Sequence, residues 1–219
     1  MSRDNKMSPS ILSGDFWRLG EQIEELEKDG VEWLHIDVMD GIFVSSISYG
    51  MPIIKSIRPR TSMFFDVHLM ITEPERYIKI FAECGADLID FHFESTKHVQ
   101  ECIDLIKEQG KKVGIAIKPD TPVVEILPFV EQVDMILVMT VNPGYGGQKL
   151  IPECFDKVRE LRTITDEMGL TELAIEVDGG INCDNVSIAL DAGANVIVAG
   201  SAVFKDSITE NINKFNEKM

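Results

Sequence analysis

Residues 35–41 read His-Ile-Asp-Val-Met-Asp-Gly, an apolar strand that carries polar side chains into a turn. Side chains alternate between the two faces of a strand, so His35, Asp37 and Met39 share one side. The apolar residues between them suit a sheet surface that helices cover. The polar face is therefore expected to look into an enclosed site.

A second stretch repeats this arrangement. Residues 65–70 read Phe-Asp-Val-His-Leu-Met, and Asp66, His68 and Met70 share one face of the predicted strand. Two strands that each place a histidine and a methionine on the same face predict two walls of one site.

Short apolar runs alternate with longer amphipathic stretches along the 219 residues. The pattern predicts eight strands, at residues 8–12, 33–38, 63–69, 88–93, 112–117, 135–139, 173–177 and 195–199. The helices predicted between them include residues 16–28, 75–83, 99–108, 153–167 and 185–191. Eight such units in a chain of this length predict an α/β fold, a single (β/α)8 TIM barrel that forms one catalytic domain over residues 1–219.

A barrel of this kind carries its active site at the carboxyl ends of the strands. His35, Asp37, His68 and Asp178 all fall at such ends and face inward by strand parity. Two imidazoles and two carboxylates can hold one divalent metal ion, and zinc, iron, manganese and cobalt all suit mixed nitrogen and oxygen ligands. One histidine alone would more simply be a buried core residue, so the prediction rests on the four together.

Three glycine-rich segments follow the last three predicted strands. They are residues 142–148 (Asn-Pro-Gly-Tyr-Gly-Gly-Gln), 178–181 (Asp-Gly-Gly-Ile) and 199–202 (Ala-Gly-Ser-Ala). Tight turns alone can require glycine, but bare backbone N–H groups also bind anions, and barrels commonly bind phosphate after the seventh and eighth strands. Together the three loops predict a phosphorylated ligand.

These groups together suggest one chemistry. A metal ion can polarise a carbonyl, and a carboxylate on each face of the resulting enediolate can remove a proton from one side and return one to the other. That sequence is an epimerisation beside the ketone of a sugar phosphate. Met39, Met70 and Met139 face inward at strand ends, where they either shield the intermediate from water or only fill gaps in the core.

Composition excludes several other classes of protein. The net charge of −16 argues against nucleic acid or an anionic membrane as a partner. The sequence shows neither a signal peptide nor a membrane-spanning apolar run, and its four scattered cysteines are expected to be unpaired. We therefore expect a cytoplasmic location.

The chain resembles the ribulose-phosphate 3-epimerase family from residue 8 to about residue 204. The motifs that carry the resemblance are residues 9–13 (Pro-Ser-Ile-Leu-Ser), 35–41, 66–70, 139–148, 176–181 and 199–202. The resemblance implies conversion of D-ribulose 5-phosphate to D-xylulose 5-phosphate in the pentose phosphate pathway. It also implies one divalent metal ion and a homo-oligomer.

The resemblance also implies roles for individual residues. Asp37 and Asp178 would be both metal ligands and the acid/base pair, and His35 and His68 would complete the metal site. The residues implied to touch or surround the substrate and its phosphate are Ser10, His68, Gly144, Tyr145, Gly146, Gly147, Gly179, Gly180, Gly200 and Ser201.

Two loops depart from the family pattern. Residues 43–46 read Phe-Val-Ser-Ser where the family usually has Phe-Val-Pro-Asn, and residues 118–122 read Lys-Pro-Asp-Thr-Pro where it usually has Asn-Pro-x-Thr-Pro. Lys118 either adds a cation near the substrate or pairs with the inward Glu176, and we expect the pairing. These changes leave open a D-allulose 6-phosphate 3-epimerase, which shares the motifs.

Other functions fit the sequence less well. The decarboxylase and hexulose-phosphate synthase group carries Asp-x-Lys-x-x-Asp, and the strand at residues 66–70 has no lysine. A sugar-phosphate-binding barrel without catalysis would be expected to lack a ligand or a carboxylate, and none is missing. Behind the site, His92 shares an inward face with Asp90 and is a candidate for supporting it, whereas His98 begins a helix and is expected to be solvated.

Overall fold

The structure, a computed structural model, describes residues 4–219; residues 1–3 of the predicted domain lie outside this range. The strands are β1 (Lys6–Pro9), β2 (Trp33–Met39), β3 (Phe64–Met70), β4 (Leu88–His92), β5 (Lys112–Ile117), β6 (Met135–Met139), β7 (Ala174–Asp178) and β8 (Val196–Ala199). The α-helices are α1 (Leu19–Lys28), α2 (Met51–Ile57), α3 (Ile78–Cys84), α4 (Val99–Glu108), α5 (Cys154–Glu167), α6 (Val186–Asp191), α7 (Ser201–Phe204) and α8 (Ile208–Asn216). Short 3₁₀ helices cover Ile11–Ser13, Arg58–Arg60, Pro74–Arg76, Phe93–Ser95, Val123–Glu125 and Leu127–Gln132.

The eight strands are parallel and lie in the order β1-β8-β7-β6-β5-β4-β3-β2. An isolated parallel bridge between Ser10 and His35 joins the two ends of this sheet. The sheet therefore curls into a barrel, which confirms the predicted TIM-barrel fold.

Strand alternation separates two surfaces, as β2 illustrates. Leu34, Ile36 and Val38 point outward and are buried in the main core, between the strands and the helices. The inner face of the barrel begins with an apolar floor, where the rings of Trp33 and Phe64 stack with centroids 4.3 Å apart. Above this floor lies a layer of buried histidines and carboxylates, which opens toward the carboxyl ends of the strands.

The predicted elements agree with the structure except near the amino terminus and at the start of α3, which begins at Ile78 rather than residue 75 because Pro74–Arg76 forms a separate 3₁₀ turn. β1 spans Lys6–Pro9 rather than residues 8–12, because the Ser10 hydroxyl accepts a hydrogen bond from the Leu12 N–H and begins a 3₁₀ turn. α1 begins at Leu19 rather than residue 16, because Asp15 accepts a hydrogen bond from the Trp17 N–H in a turn that competes with helix. The other predicted strand boundaries lie within one residue of those observed.

Two further sequence expectations can be compared with residues 4–219. The four cysteines are free thiols, as predicted. None of the helices in this range is long and apolar enough to cross a membrane.

Candidate active site

A cavity of about 290 Å³ opens at the carboxyl ends of the strands. Asp37 and Asp178 lie in its wall, at the ends of β2 and β7. The other predicted site residues that line it are Ser10, Met39, Met70, Met139, Gly144, Tyr145, Gly146, Gly147, Gly179, Gly180, Gly200 and Ser201. One cavity therefore gathers residues from both ends of the chain.

His35 and His68 are fully buried and lie behind Asp37 rather than in the cavity wall. Asp37 Oδ1 is 3.4 Å from His35 Nε2 and 3.3 Å from His68 Nδ1, and these two nitrogen atoms are 3.3 Å apart. With a carboxylate oxygen of Asp178, the four candidate ligand atoms all lie within 4.8 Å of one another. The direct contact predicted between His68 and the substrate stays a prediction.

This donor set fits a divalent metal ion. The opposite ring nitrogen of His35, Nδ1, lies 2.7 Å from Asp66 Oδ2. Because a carboxylate accepts hydrogen bonds, Nδ1 is assigned a proton, so Nε2, the atom that faces Asp37, is the ring nitrogen that would bind a metal ion in place of its own proton. Two nitrogen and two oxygen ligands around a small buried space suit zinc or a related transition metal.

The two carboxyl groups in the cavity wall have pKa values shifted in opposite directions. Burial alone would raise the pKa of Asp37, but the charge and the hydrogen bond of His35, the largest of the lowering effects, hold this pKa far below its usual range. Burial, reinforced by the charge of Asp37, raises the pKa of Asp178 to about 7. Such a divergence separates a proton acceptor from a proton donor.

The histidines also differ. Burial opposes protonation of His35, yet Asp37 and Asp66 outweigh it and raise the pKa of His35 well above its ordinary value. Burial lowers the pKa of His68 to about 4, helped by the charges of His92 and His35. His68 is therefore a neutral imidazole near pH 7.

The predicted pairing of Lys118 with Glu176 is wrong. The strand ladders place Glu176 level with Leu137 and Ala116, which is two residues below Lys118. Lys118 Nζ instead lies 3.8 Å from the centroid of the Phe43 ring. Burial, followed by the charge of Asp66, raises the pKa of Glu176 well above its ordinary value, so this group can stay neutral without a lysine partner.

The two loops that depart from the family pattern meet at this contact between Phe43 and Lys118, outside the cavity wall. The Phe43 ring also lies against His92, with centroids 4.9 Å apart. Val44 and Ser45 come near the cavity wall at Gly144: a Cβ added there would lie 3.4 Å from the Val44 Cβ and 3.8 Å from the Ser45 hydroxyl oxygen. His98 is exposed at the start of α4, as expected.

The loops after β7 and β8 have no room for side chains at three glycines. A Cβ on Gly180 would lie 2.6 Å from the Leu150 amide nitrogen, and one on Gly200 would lie 2.4 Å from the Ser13 hydroxyl oxygen. Gly179, where a Cβ would lie 2.4 Å from Val141 Cγ2, is equally tight, and all three glycines line the cavity, so backbone without a side chain faces it at these points. Sequence reasoning missed Lys205, which also lines the cavity; its only signal was its position three residues after the last glycine loop.

Comparison with known proteins gives consistent matches over most of the chain. The profile of the ribulose-phosphate 3 epimerase family matches residues 6–204. The ribulose-phosphate 3-epimerase of Bacillus subtilis (strain 168) is 49% identical over 202 residues, which cover 92% of this chain and 93% of that protein. The enzyme of the same name from Schizosaccharomyces pombe is 48% identical over 210 residues, covering 94% and 90%.

Solved structures share the barrel at much lower identity. A 3-hexulose-6-phosphate synthase superposes with a TM-score of 0.73 at 14% identity, covering 98% of this chain and 99% of that chain. A mutant tryptophan synthase alpha-subunit from Pyrococcus furiosus gives 0.74 at 15% identity, covering 99% and 100%. At these identities the likeness shows the fold alone.

Proposed function

Because the chain belongs to the ribulose-phosphate 3-epimerase family, we propose that it interconverts D-ribulose 5-phosphate and D-xylulose 5-phosphate. The observation that carries this proposal is the pair of carboxyl groups, Asp37 and Asp178, which share one cavity and have pKa values shifted in opposite directions. Epimerisation needs one group to take a proton and another to give one.

The proposed steps move one proton at each face of the substrate. The Asp37 carboxylate removes the proton from C3, and the electrons of that C–H bond pass toward the neighbouring ketone to give an enediolate. The Asp178 carboxylic acid then donates its proton to the opposite face of C3, where a new C–H bond forms. In the reverse direction the two groups exchange roles.

His35, Asp37, His68 and Asp178 would hold a divalent metal ion, which would supply positive charge to stabilise the charge that develops on the ketone oxygen. Ser10 donates a hydrogen bond from its hydroxyl to Asp37 Oδ2, which fixes the orientation of that carboxylate. Met39, Met70 and Met139 line the cavity as buried apolar side chains and would keep water from the carbanionic intermediate.

The phosphate is proposed to bind at the loops after β7 and β8. Backbone is bare at Gly179, Gly180, Gly200 and Ser201, where N–H groups can donate to phosphate oxygens. Lys205 supplies a positive charge at the same cavity. Gly144, Tyr145, Gly146 and Gly147 form the adjacent part of the rim, after β6, from which the exposed Tyr145 can reach the bound sugar.

D-allulose 6-phosphate is the second candidate substrate. The observation in its favour is the position of Ser45 beside the Gly144 backbone, because a change of this loop can alter the space left for a longer sugar. The mechanism would be unchanged.

The test is a paired assay of the purified, metal-loaded protein on both sugar phosphates, comparing kcat/KM. A strong preference for D-ribulose 5-phosphate would support the proposed substrate, and a preference for D-allulose 6-phosphate would assign the second. Turnover of neither, with both still bound, would identify a sugar-phosphate-binding barrel without catalysis. We also propose that the whole chain forms one catalytic domain of a cytoplasmic homo-oligomer.

A further inference from the structure

A chain of buried hydrogen bonds runs from the β5 loop to His68. His68 Nε2 lies 3.0 Å from His92 Nε2, and His92 Nδ1 lies 3.1 Å from Glu94 Oε2. The other oxygen of Glu94 accepts hydrogen bonds from the Lys118 N–H, at 2.8 Å, and from the Thr121 hydroxyl. The chain therefore joins three consecutive strands, β3, β4 and β5, behind the cavity.

The proton positions along this chain of hydrogen bonds can be assigned by starting from Glu94, at its far end from His68. Glu94 Oε1 accepts from both donors, and against the effect of burial hydrogen bonds from His92, Thr121 and Lys118 lower the pKa of Glu94 to about 2. Glu94 is therefore a carboxylate, and His92 Nδ1 donates to its second oxygen. A neutral His92 then has a lone pair on Nε2 and accepts from His68 Nε2–H. His68 is left with a lone pair on Nδ1, the atom that faces Asp37.

We propose that Glu94 and His92 are positioning residues, which hold His68 in the tautomer whose Nδ1 lone pair points into the candidate metal site. The inference rests on the proposed function and deepens it, because it names residues that prepare the site without touching the substrate. Neither residue lines the cavity.

The arrangement mirrors the support of His35. His35 Nδ1 donates a hydrogen bond directly to Asp66 Oδ2, with 2.7 Å between the two atoms. Nε2 is then the nitrogen that faces the site. His68 presents its opposite nitrogen, Nδ1, and its support reaches a carboxylate only through His92. Hydrogen bonds of this kind to ligand imidazoles fix the tautomer and the ring orientation of metal-binding histidines.

Asp37, whose Oδ1 lies 3.3 Å from His68 Nδ1, is the group that competes with His92 for the His68 proton, whereas Asp90 does not. Asp90 Oδ1 is 3.8 Å from His68 Nε2, which is too far for a hydrogen bond. The Phe43 ring lies against His92, and Lys118 Nζ is 3.8 Å from the centroid of the Phe43 ring. Lys157 donates to the carbonyl oxygens of Lys118 and Thr121 and so anchors the loop that holds Glu94.

The first measurement is the tautomer of His68 in the metal-free wild-type chain, read from ¹⁵N chemical shifts of histidine-labelled protein at pH 8. We expect the proton on Nε2 and none on Nδ1. The opposite tautomer would overturn the proposal. This readout needs no variant and no activity, so it stands even if the chain acts on neither sugar phosphate.

Glu94→Gln reverses the donor and acceptor roles in the hydrogen bonds that run from residue 94 through His92 to His68, and it changes the shape of the side chain little. The amide oxygen is needed by the Lys118 N–H and the Thr121 hydroxyl, so the amide NH₂ must face His92 Nδ1. His92 then donates from Nε2, and His68 must carry its proton on Nδ1, toward the metal site. We expect Co²⁺ affinity, measured by visible absorption titration, to fall about 10- to 100-fold.

Glu101→Gln is the matched control, because Glu101 also faces a histidine, His98, at 3.6 Å, but on the exposed surface of α4. It should keep the wild-type Co²⁺ affinity and the wild-type tautomer of His68. A folded Glu94→Gln variant whose Co²⁺ affinity stays within twofold of wild type would refute the proposal. If that variant does not fold, the wild-type tautomer decides. Failure of the sugar-phosphate assays with the expected tautomer and affinity loss would refute only the proposed reaction.

Discussion

Asp37 and Asp178 face the same cavity from strands on opposite sides of β1 and β8, yet only Asp37 has histidines against it. Burial raises the pKa of an isolated carboxyl group, and this effect prevails at Asp178. At Asp37 the charge and the hydrogen bond of His35 reverse it. The difference between the two carboxyl groups is therefore produced by their neighbours and not by their depth in the barrel.

Replacing Asp178 should separate catalysis from folding. Asp178→Asn keeps the shape of the side chain but cannot donate the proton, so we expect kcat to fall by about 10²- to 10⁴-fold with an unchanged circular dichroism spectrum. Asp184→Asn, on the exposed part of the next loop, is the control and should keep wild-type kcat. Near-normal turnover by Asp178→Asn would contradict the assignment of two carboxyl groups to the reaction.

Removal of metal should inactivate the enzyme reversibly. Because His35, Asp37, His68 and Asp178 form one candidate ligand set, dialysis against a chelator should abolish turnover, and zinc, iron, manganese or cobalt should restore it. The metal content of each sample is measured alongside its activity. Full activity in a sample shown to be free of metal would rule out a metal requirement.

Lys205 should contribute to substrate binding and not to chemistry. Lys205→Gln removes a positive charge from the phosphate end of the cavity, so we expect KM to rise about tenfold while kcat stays within about twofold of wild type. Lys149→Gln is the control, since Lys149 is exposed and does not line the cavity. An equal change in KM for both variants would indicate a general charge effect rather than a contact at this site.

A side chain should be tolerated less well at Gly180 than at Gly169, which has a similar backbone conformation. Gly180 has φ of +69° and Gly169 has φ of +73°, but only at Gly180 would a Cβ meet another atom, the Leu150 amide nitrogen. Gly169→Ala should cost about 1 kcal/mol of unfolding free energy from backbone strain alone. Gly180→Ala should cost clearly more and should also raise KM, as measured by urea unfolding and steady-state kinetics. Equal stability losses would contradict the close approach at Gly180.

Glu94 should make stability depend on pH in a defined window. Burial opposes ionisation of Glu94, but hydrogen bonds and charge from His92, with Thr121 and Lys118, lower its pKa to about 2, against 4.5 for the ordinary group. The folded chain therefore binds fewer protons than the unfolded one between these values. This contribution, of order 3 kcal/mol at most, is present above about pH 4.5 and is lost as the pH falls toward 2.

The measurement is urea unfolding of wild type and of Glu94→Gln at pH 6 and pH 3. The stability difference between the two proteins should shrink at pH 3, because the unfolded wild-type chain binds a proton at Glu94 there that the folded chain does not, whereas the variant has no such group. A difference that stays constant between these pH values would contradict the lowered pKa of Glu94.

Strand parity made much of the site predictable. Because the two-residue period of a strand is rigid, the sequence alone placed His35, Asp37, His68 and Asp178 on inward faces at strand ends. The partner of Lys118 could not be predicted in this way, because it depends on the height of a loop above the strand ladder. Lys205 was missed because it follows a short helix, α7, whose direction the strand pattern does not fix.

The proton assignment along Glu94, His92 and His68 also lay beyond sequence reasoning. His92 could be placed on the inward face of β4, but its ring nitrogens have meaning only relative to two neighbouring strands. Glu94 lies in a 3₁₀ turn, where no period relates a side chain to one face of the barrel.

The bridge between Ser10 and His35 closes the barrel at the same place where the Ser10 hydroxyl meets Asp37. β1 pairs on its other side with β8, so the two ends of the chain must meet before this seam can form. Closing so long a stretch of chain is slow, because the entropy of the loop is lost before the contacts are gained. We expect the reacting groups to be aligned only in the last step of folding, so that recovery of turnover reports the closure of the ring and lags behind the recovery of helical signal.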